Sequence, residues 1–226
     1  MSAPLMIFDL DGTLVDTNRD LIPALNHAIA SEGIEPVGLD EVGHVVGQGA
    51  RQMIMRAFEL RRRDVPDDRI DVLFAAFLEH YEAHIADNSR LYPGLVPALD
   101  LLATRGWRFA VCTNKTERLA RLLLKELDLL DRFDAVTGGD TFAFRKPDPR
   151  HLHETAKLVG AQRCVMVGDS VNDIAAAQAA PMPVIAVDFG YTDRPVSEFS
   201  PDRIISHFRE LPEAANALDP REAPTL

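Results

Sequence analysis

Apolar positions along the chain fall into two patterns. Short apolar runs closed by polar residues occur at 5–10, 109–113, 133–137, 164–167 and 184–187. Their length, and the Asp-Gly or Gly-Asp that stops the first and fourth, predict buried strands. A weaker run at 203–205 predicts an edge strand. The second pattern has helical spacing. It dominates 18–88, where Leu21, Leu25, Ala28 and Ile29 share one face and Ile70, Leu73, Phe74, Phe77, Leu78, Tyr81 and Ile85 share another. Gly43, Gly47 and Gly49 punctuate this block, and Pro66-Asp67-Asp68 reads as a break and a fresh helix start. Further helices are predicted at 118–127 (Leu119, Leu122, Leu123 and Leu127 inward), 148–159, 171–180 and 207–218, with a frayed tail at 219–226.

Strands alternating with helices predict an α/β fold, a doubly wound parallel sheet covered on both faces. The helical block after the first strand is then an insertion, an all-helical cap. The expected division is a core of residues 1–16 and 91–226 and a cap of residues 17–90. There is no internal repeat. Ligands of such sheets bind at the C-terminal strand ends, so the polar residues that close the apolar runs are expected to converge.

Composition narrows the function classes. The net charge of −11 disfavours nucleic acid and anionic membrane surfaces as partners. An anionic small molecule remains compatible, because a local site can be positive. Cys112 and Cys164 each lie in an apolar run and read as core residues, with no metal or disulfide spacing. No run approaches the ~20 apolar residues of a membrane span. Residues 1–4 carry no signal-type stretch, so the expected setting is cytoplasmic, as a monomer or homodimer.

The residues that close the strands carry the chemistry. Asp9, Asp11, Gly12 and Thr13 follow the first run, and Thr113 and Asn114 the second. Lys146-Pro147 precedes the helix at 148–159, and Asp169, Ser170 and Asp173 follow the run at 164–167. Acids, hydroxyls and a lysine gathered on one rim suit a phosphate and a hard divalent cation. Magnesium prefers oxygen ligands, and clustered carboxylates repel unless a cation sits among them. A carboxylate nucleophile would divide a slow hydrolysis into two easier displacements. Lysine, hydroxyl and backbone donors would stabilise the transferring phosphoryl group.

Four segments resemble the ordered motifs of the haloacid dehalogenase superfamily: Phe8-Asp9-Leu10-Asp11-Gly12-Thr13-Leu14, Val111-Cys112-Thr113-Asn114, Lys146-Pro147-Asp148-Pro149 and Gly168-Asp169-Ser170-Val171-Asn172-Asp173. The resemblance covers essentially the whole chain. It implies that Asp9 is the nucleophile of an aspartyl-phosphate mechanism and Asp11 the general acid, then base. It implies that Thr113, Asn114 and Lys146 bind phosphate. Magnesium would be held by Asp9, Asp169 and the backbone carbonyl of Asp11, with Asp173 supporting the site directly or through Lys146. The helical insertion resembles a type I cap. Asp16-Thr17, Asp20-Leu21, Val46-Gly47-Gln48-Gly49-Ala50-Arg51 and Phe189-Gly190-Tyr191 resemble phosphoglycolate phosphatases. Ala180-Pro181 departs from the glycine many relatives carry there, a matter of turn geometry.

Plainer readings stand beside these. Gly47-Gln48-Gly49 lacks the third glycine and the preceding strand of a dinucleotide loop. It is either a helix-linking loop or a cap loop over substrate. Arg51 is either a surface charge or a partner for a substrate carboxylate. His80 and His84 read as a solvated helix face, His151 and His153 as surface residues, and Arg61, Arg62 and Arg63 as a solvated helix end. The leading substrate is 2-phosphoglycolate. A nucleotide, sugar phosphate or pyrophosphate, a β-phosphoglucomutase-like transfer, and a non-catalytic phosphate-binding module remain alternatives. Phosphonate hydrolysis is disfavoured, because no lysine occurs between Met1 and Leu91.

Overall fold

A computed structural model describes residues 3–192 and 194–218. In chain order the elements are β1 (Leu5–Phe8), β2 (Val15–Asp16), α1 (Asn18–Ala30), α2 (Leu39–Val42), α3 (Ala50–Leu60), α4 (Asp67–Ala83), β3 (Arg90–Leu91), α5 (Leu95–Thr104), β4 (Arg108–Cys112), α6 (Glu117–Glu126), β5 (Ala135–Thr137), α7 (Pro149–Val159), β6 (Cys164–Gly168), α8 (Val171–Ala179), β7 (Val184–Val187), β8 (Arg203–Ile205) and α9 (Leu211–Ala217). The predicted tail at 219–226 lies outside the described residues.

Six strands pair in the order β5-β4-β1-β6-β7-β8, every pair parallel. β1 lies in the interior of the sheet, and all four of its residues are buried. The side-chain period of two splits the strands between the two faces. Met6, Phe8, Val111, Val165 and Val167 face α5, α6 and α9, while Leu5, Ile7, Ala110, Cys112 and Met166 face α7 and α8. Both cysteines are buried and unpaired, as their apolar setting predicts. From β1 the chain builds β4 and β5 on one side, then crosses to β6, β7 and β8 on the other. This reversal opens a crevice at the C-terminal end of β1.

Helices α1 to α4 are inserted between β2 and β3. Those two strands form an antiparallel ribbon, Val15 opposite Leu91 and Asp16 opposite Arg90, so the chain leaves and returns at one point. Leu73, Phe77 and Tyr81 of α4 recur every four residues and are buried among Leu21, Leu25 and Ile29 of α1 and Met53 and Phe58 of α3. Asp20 fastens α1 to the returning strand. Its carboxylate accepts from the backbone N–H of Asn88 at 3.0 Å and of Ser89 at 2.7 Å, and from the side chains of both.

Pattern and structure differ in three places. α5 goes beyond the expectation: its apolar residues do not form one stripe, Leu101 is exposed, and Pro97 lies inside it. The two-residue ribbon β2–β3 is too short to carry a period. The expected closing helix at 207–218 is a 3₁₀ turn, Phe208–Glu210, followed by α9. At the turn where Pro181 stands, φ is +27°, in the region that glycine favours.

Candidate active site

The acids of the site lie at or shortly beyond the ends of β1 and β6. Asp9 directly follows β1, and its N–H donates to the carbonyl of Val167 on β6 at 2.9 Å. Asp169 directly follows β6. Its carboxylate accepts from Thr13 Oγ1 at 2.8 Å and from the N–H of Tyr191 at 2.7 Å. Asp173 lies in the first turn of α8, fully buried, and one of its oxygens accepts from the N–H and Oγ of Ser170 at 3.0 and 2.7 Å. Gly12 makes this packing feasible. Its φ is +83°, and a Cβ there would lie 2.4 Å from Asp169 Oδ2.

Lys146 reaches in from the loop before α7. That helix starts cleanly, since Asp148 accepts from the N–H of Arg150 at 2.9 Å and Pro149 occupies the first turn. Lys146 Nζ lies 2.8 Å from Asp9 Oδ1 and 2.6 Å from Asp173 Oδ1. Asn114 Nδ2 donates to the Lys146 carbonyl at 3.1 Å, tying the loop after β4 to the loop before α7. Thr113 is buried at the end of β4, where its Oγ1 accepts from the N–H of Lys115 at 3.2 Å.

Burial pushes the Asp9 carboxyl up to about 6; Lys146 pulls it down and Asp173 pushes it further up. Burial also raises Asp169 well above the ordinary carboxylate range, with the charges of Asp173 and Asp9 adding to it. Burial disfavours the Lys146 ammonium, but Asp173 and Asp9 outweigh it, so Lys146 is held charged.

Carboxylate oxygens of Asp9, Asp169 and Asp173 lie within 4.8 Å of one another, the group among the described residues able to hold a metal ion. The fit to a divalent cation is chemical. The donors are all hard oxygens. The acids (Asp9, Asp11, Asp169, Asp173) outnumber the lysines (Lys115, Lys146), so a cation among them would relieve their mutual repulsion. The side chain of Asp11 does not join this group. It turns to Lys115, whose Nζ donates to its two oxygens at 2.9 and 2.8 Å.

A cavity of about 260 Å³ lies between the sheet and the inserted helices. Asp9, Asp11, Thr113, Asn114, Lys146 and Asp173 line its floor, and Gly47, Gly49 and Arg51 its roof. The sequence-predicted residues are thus brought together, with Asp169 just beneath. Gly49 takes φ +99° as it leads into α3, a conformation other residues resist. Arg51 is half-exposed, 2.6 Å from Asp71 and stacked on Phe74. Asn172 Nδ2 donates to the Gly47 carbonyl at 3.4 Å, a polar tie between the sheet half of the molecule and the inserted helices.

Three side chains depart from or exceed the expectation. Lys115 was legible as a lysine two residues past Thr113 on the same rim, yet no motif marks it. His151, expected at the surface, is fully buried and edge-on to Phe142. It shares the inward face of α7 with Leu152, Thr155, Ala156 and Val159, a spacing that signals burial. His80 is only partly solvated, stacked on His27 with ring centroids 4.2 Å apart.

The fold and the rim of acids define a class, and comparison with known proteins agrees with it. Residues 4–181 match the family model for haloacid dehalogenase-like hydrolases. A phosphoglycolate phosphatase from Agrobacterium fabrum is 54% identical over 94% of this chain and 92% of its own. Another from Mesorhizobium japonicum is 49% identical over 93% and 94%. Among solved structures, that of a predicted phosphoglycolate phosphatase from Haemophilus somnus superposes with a TM-score of 0.88 at 28% identity, covering 93% of this chain and 97% of the other. The chain belongs to the haloacid dehalogenase-like hydrolase family.

Proposed function

We propose that the chain hydrolyses a short phosphomonoester, 2-phosphoglycolate before others, through a phosphoryl group carried on Asp9. It is a phosphatase acting on small phosphorylated substrates, by family and by relatives alike. The observation that carries the mechanism is the meeting of Asp9, Asp169, Asp173 and Lys146 on the floor of a cavity roofed by the insertion. The substrate reading draws on the names of the relatives and on Arg51 and Lys115 lining that cavity.

In the first step a carboxylate oxygen of Asp9 attacks phosphorus and the ester P–O bond breaks. Asp11 gives its proton to the leaving oxygen. Water then attacks the phosphoryl group, Asp11 takes a proton from it, and the bond to Asp9 breaks, returning its carboxylate. Lys146, Thr113 and Asn114 line the space where the phosphoryl oxygens would lie. The residues that would hold magnesium are Asp9, Asp169 and Asp173, with the Asp11 backbone carbonyl. A bound magnesium would supply charge neutralisation for phosphate beside a carboxylate nucleophile. Residues 1–16 and 91–226 act as the catalytic core and 17–90 as the cap, where Gly47, Gly49 and Arg51 read the leaving group. Among the described residues no helix is long and apolar enough to cross a membrane. A cytoplasmic monomer or homodimer is the setting we assign.

The test is phosphate release from a matched panel containing 2-phosphoglycolate, sugar phosphates, nucleotides and pyrophosphate, with magnesium or with EDTA. Expected are a lead for 2-phosphoglycolate in kcat/KM and loss of turnover in EDTA. Asp9→Asn is expected to lower kcat by at least about 10⁴ while the far-UV circular dichroism is kept. Near-normal turnover by that variant refutes the nucleophile assignment, and a lead for another ester refutes the substrate.

A further inference from the structure

Two groups at the junction of core and cap make or break no bond in this mechanism: the ammonium of Lys115 and the hydroxyl of Tyr81. Lys115 leaves the loop after β4, and its side chain is only 6% exposed. Its Nζ touches both oxygens of Asp11 and lies 4.7 Å from the ring centre of Tyr81. Tyr81 comes from the last turns of α4 and is 1% exposed. Its hydroxyl lies beside the Lys115 ammonium but makes no hydrogen bond of good geometry among the described residues, and both residues line the cavity. A buried hydroxyl left unpaired is costly, and at a cavity wall it calls for a ligand.

We propose that Lys115 and Tyr81 form a subsite for a carboxylate carried one carbon beyond the ester oxygen of the substrate. The inference rests on the phosphatase reading and names the feature of the leaving group that is recognised. Asp11 must meet the ester oxygen to protonate it. In 2-phosphoglycolate the carboxylate carbon is two bonds from that oxygen. An ammonium 2.8 Å from Asp11 is therefore within reach of it. Of the other cations lining the cavity, Lys146 is engaged by Asp9 and Asp173 and half-exposed Arg51 by Asp71, while Arg145 is exposed to solvent, so Lys115 is the buried one beside Asp11 with a donor to spare. A lysine ammonium has three N–H donors, and Asp11 uses two. The third, with the O–H of Tyr81, remains for the substrate. Burial pushes that hydroxyl up to about 12, against the pull of Lys115, so it keeps its proton at neutral pH and can donate.

The same arrangement selects against wrong esters. Leu21, Phe77 and Leu78 form an apolar wall beside the pair. An ester lacking the carboxylate leaves the Tyr81 hydroxyl unpaired in that wall. A site built to hydrogen-bond a group rejects the analogue without it far more strongly than a greasy pocket rejects a missing methylene.

The readout is the ratio of kcat/KM for 2-phosphoglycolate to that for ethyl phosphate, the same skeleton without the carboxylate. It is measured with magnesium in the parent, Lys115→Met and Tyr81→Phe. Using a ratio cancels any general loss from leaving Asp11 without its lysine, and Tyr81→Phe keeps the packing ring. The ratio is expected to fall about 100-fold in Lys115→Met and about tenfold in Tyr81→Phe, consistent with losing one charged and one neutral donor. A high parental ratio that survives both substitutions overturns the subsite while leaving 2-phosphoglycolate as substrate. A parental ratio near one overturns the subsite and the substrate reading together, and the phosphatase mechanism on Asp9 then stands alone.

Discussion

The floor of the cavity places its charges through the sheet, whereas the roof places rings and one arginine through packed helices. On the floor Asp9 and Asp169 each follow a buried strand by one residue, and Lys146 is fixed by two acids and by the Asn114 tie to its backbone. On the roof Phe74, Phe77 and Tyr81 lie on one helix, and Arg51 leans on Phe74. That helix is tied to the core by the ribbon β2–β3, by Asp20 at the returning strand and by the Glu82–Arg118 ion pair. The acids of the floor and the rings of the roof thus stand on different supports. A parallel sheet fixes an atom at a strand end closely, whereas helices joined to it by a two-stranded ribbon and a few side-chain ties are held less firmly. Removing the cation of the floor should lower turnover and stability together, and substitutions in the stalk should loosen the roof while sparing the floor.

Lys146→Met breaks the floor most severely. It removes the cation shared by two acids that are each under 10% exposed, leaving Asp9 and Asp173 with buried like charges. The expected loss is about 3–5 kcal/mol of stability in metal-free protein, read by urea unfolding. In the presence of magnesium kcat/KM should fall by about 10³. An unfolding midpoint unchanged from the parent contradicts this role for Lys146 in the floor.

Asp20→Ala addresses the stalk. It removes the acceptor for two backbone N–H groups and for the Ser89 hydroxyl, all at the return of the chain to the core. We expect a loss of about 3 kcal/mol, proteolytic cleavage near Asn88 and Ser89, and a fall in kcat/KM of about tenfold. The sheet should keep its hydrogen-exchange protection. Equal loosening of sheet and cap would show that the two regions unfold as one unit and would dissolve the contrast between them.

The contrast between floor and roof also governs which residues the linear pattern of the chain discloses. Acids and lysine on the floor are readable because each sits at a fixed offset from an apolar run, and the order of the runs sets the sheet. The roof is less readable, since nothing in the helical period of 18–88 says which buried face meets the core. Tyr81 belongs to the same stripe as Leu73 and Phe77, yet it alone stands over Lys115. Lys115 is hidden for a related reason: its role depends on a ring 34 positions earlier in the chain. Asp20 resembles any acid in a first helical turn, and its four donors come from residues 88 and 89. α5 escapes because apolar residues on several sides of a helix erase the stripe that marks one.

His151 offers the finest discrimination, because it stores electrostatic cost in the floor without touching the chemistry. It is fully buried on α7, under the loop that carries Lys146. Burial, reinforced by the Lys146 charge, lowers its pKa from 6.5 to about 4. The unfolded chain takes up this proton near pH 6.5 and the folded chain only near pH 4. Between those values the unfolded state binds more protons, so stability rises with pH and is lost as pH falls through the window. His151→Leu removes that titration and keeps an apolar side chain of similar size against Phe142. Carboxylates titrate alike in both proteins, so the difference between their urea midpoints isolates the histidine. At pH 7.5 the two should be within about 1 kcal/mol, and at pH 4.5 the parent should have lost about 2 kcal/mol more than the variant. Parallel stability curves across that range would mean that His151 is protonated in the folded floor, and that the charge of Lys146 is screened from it.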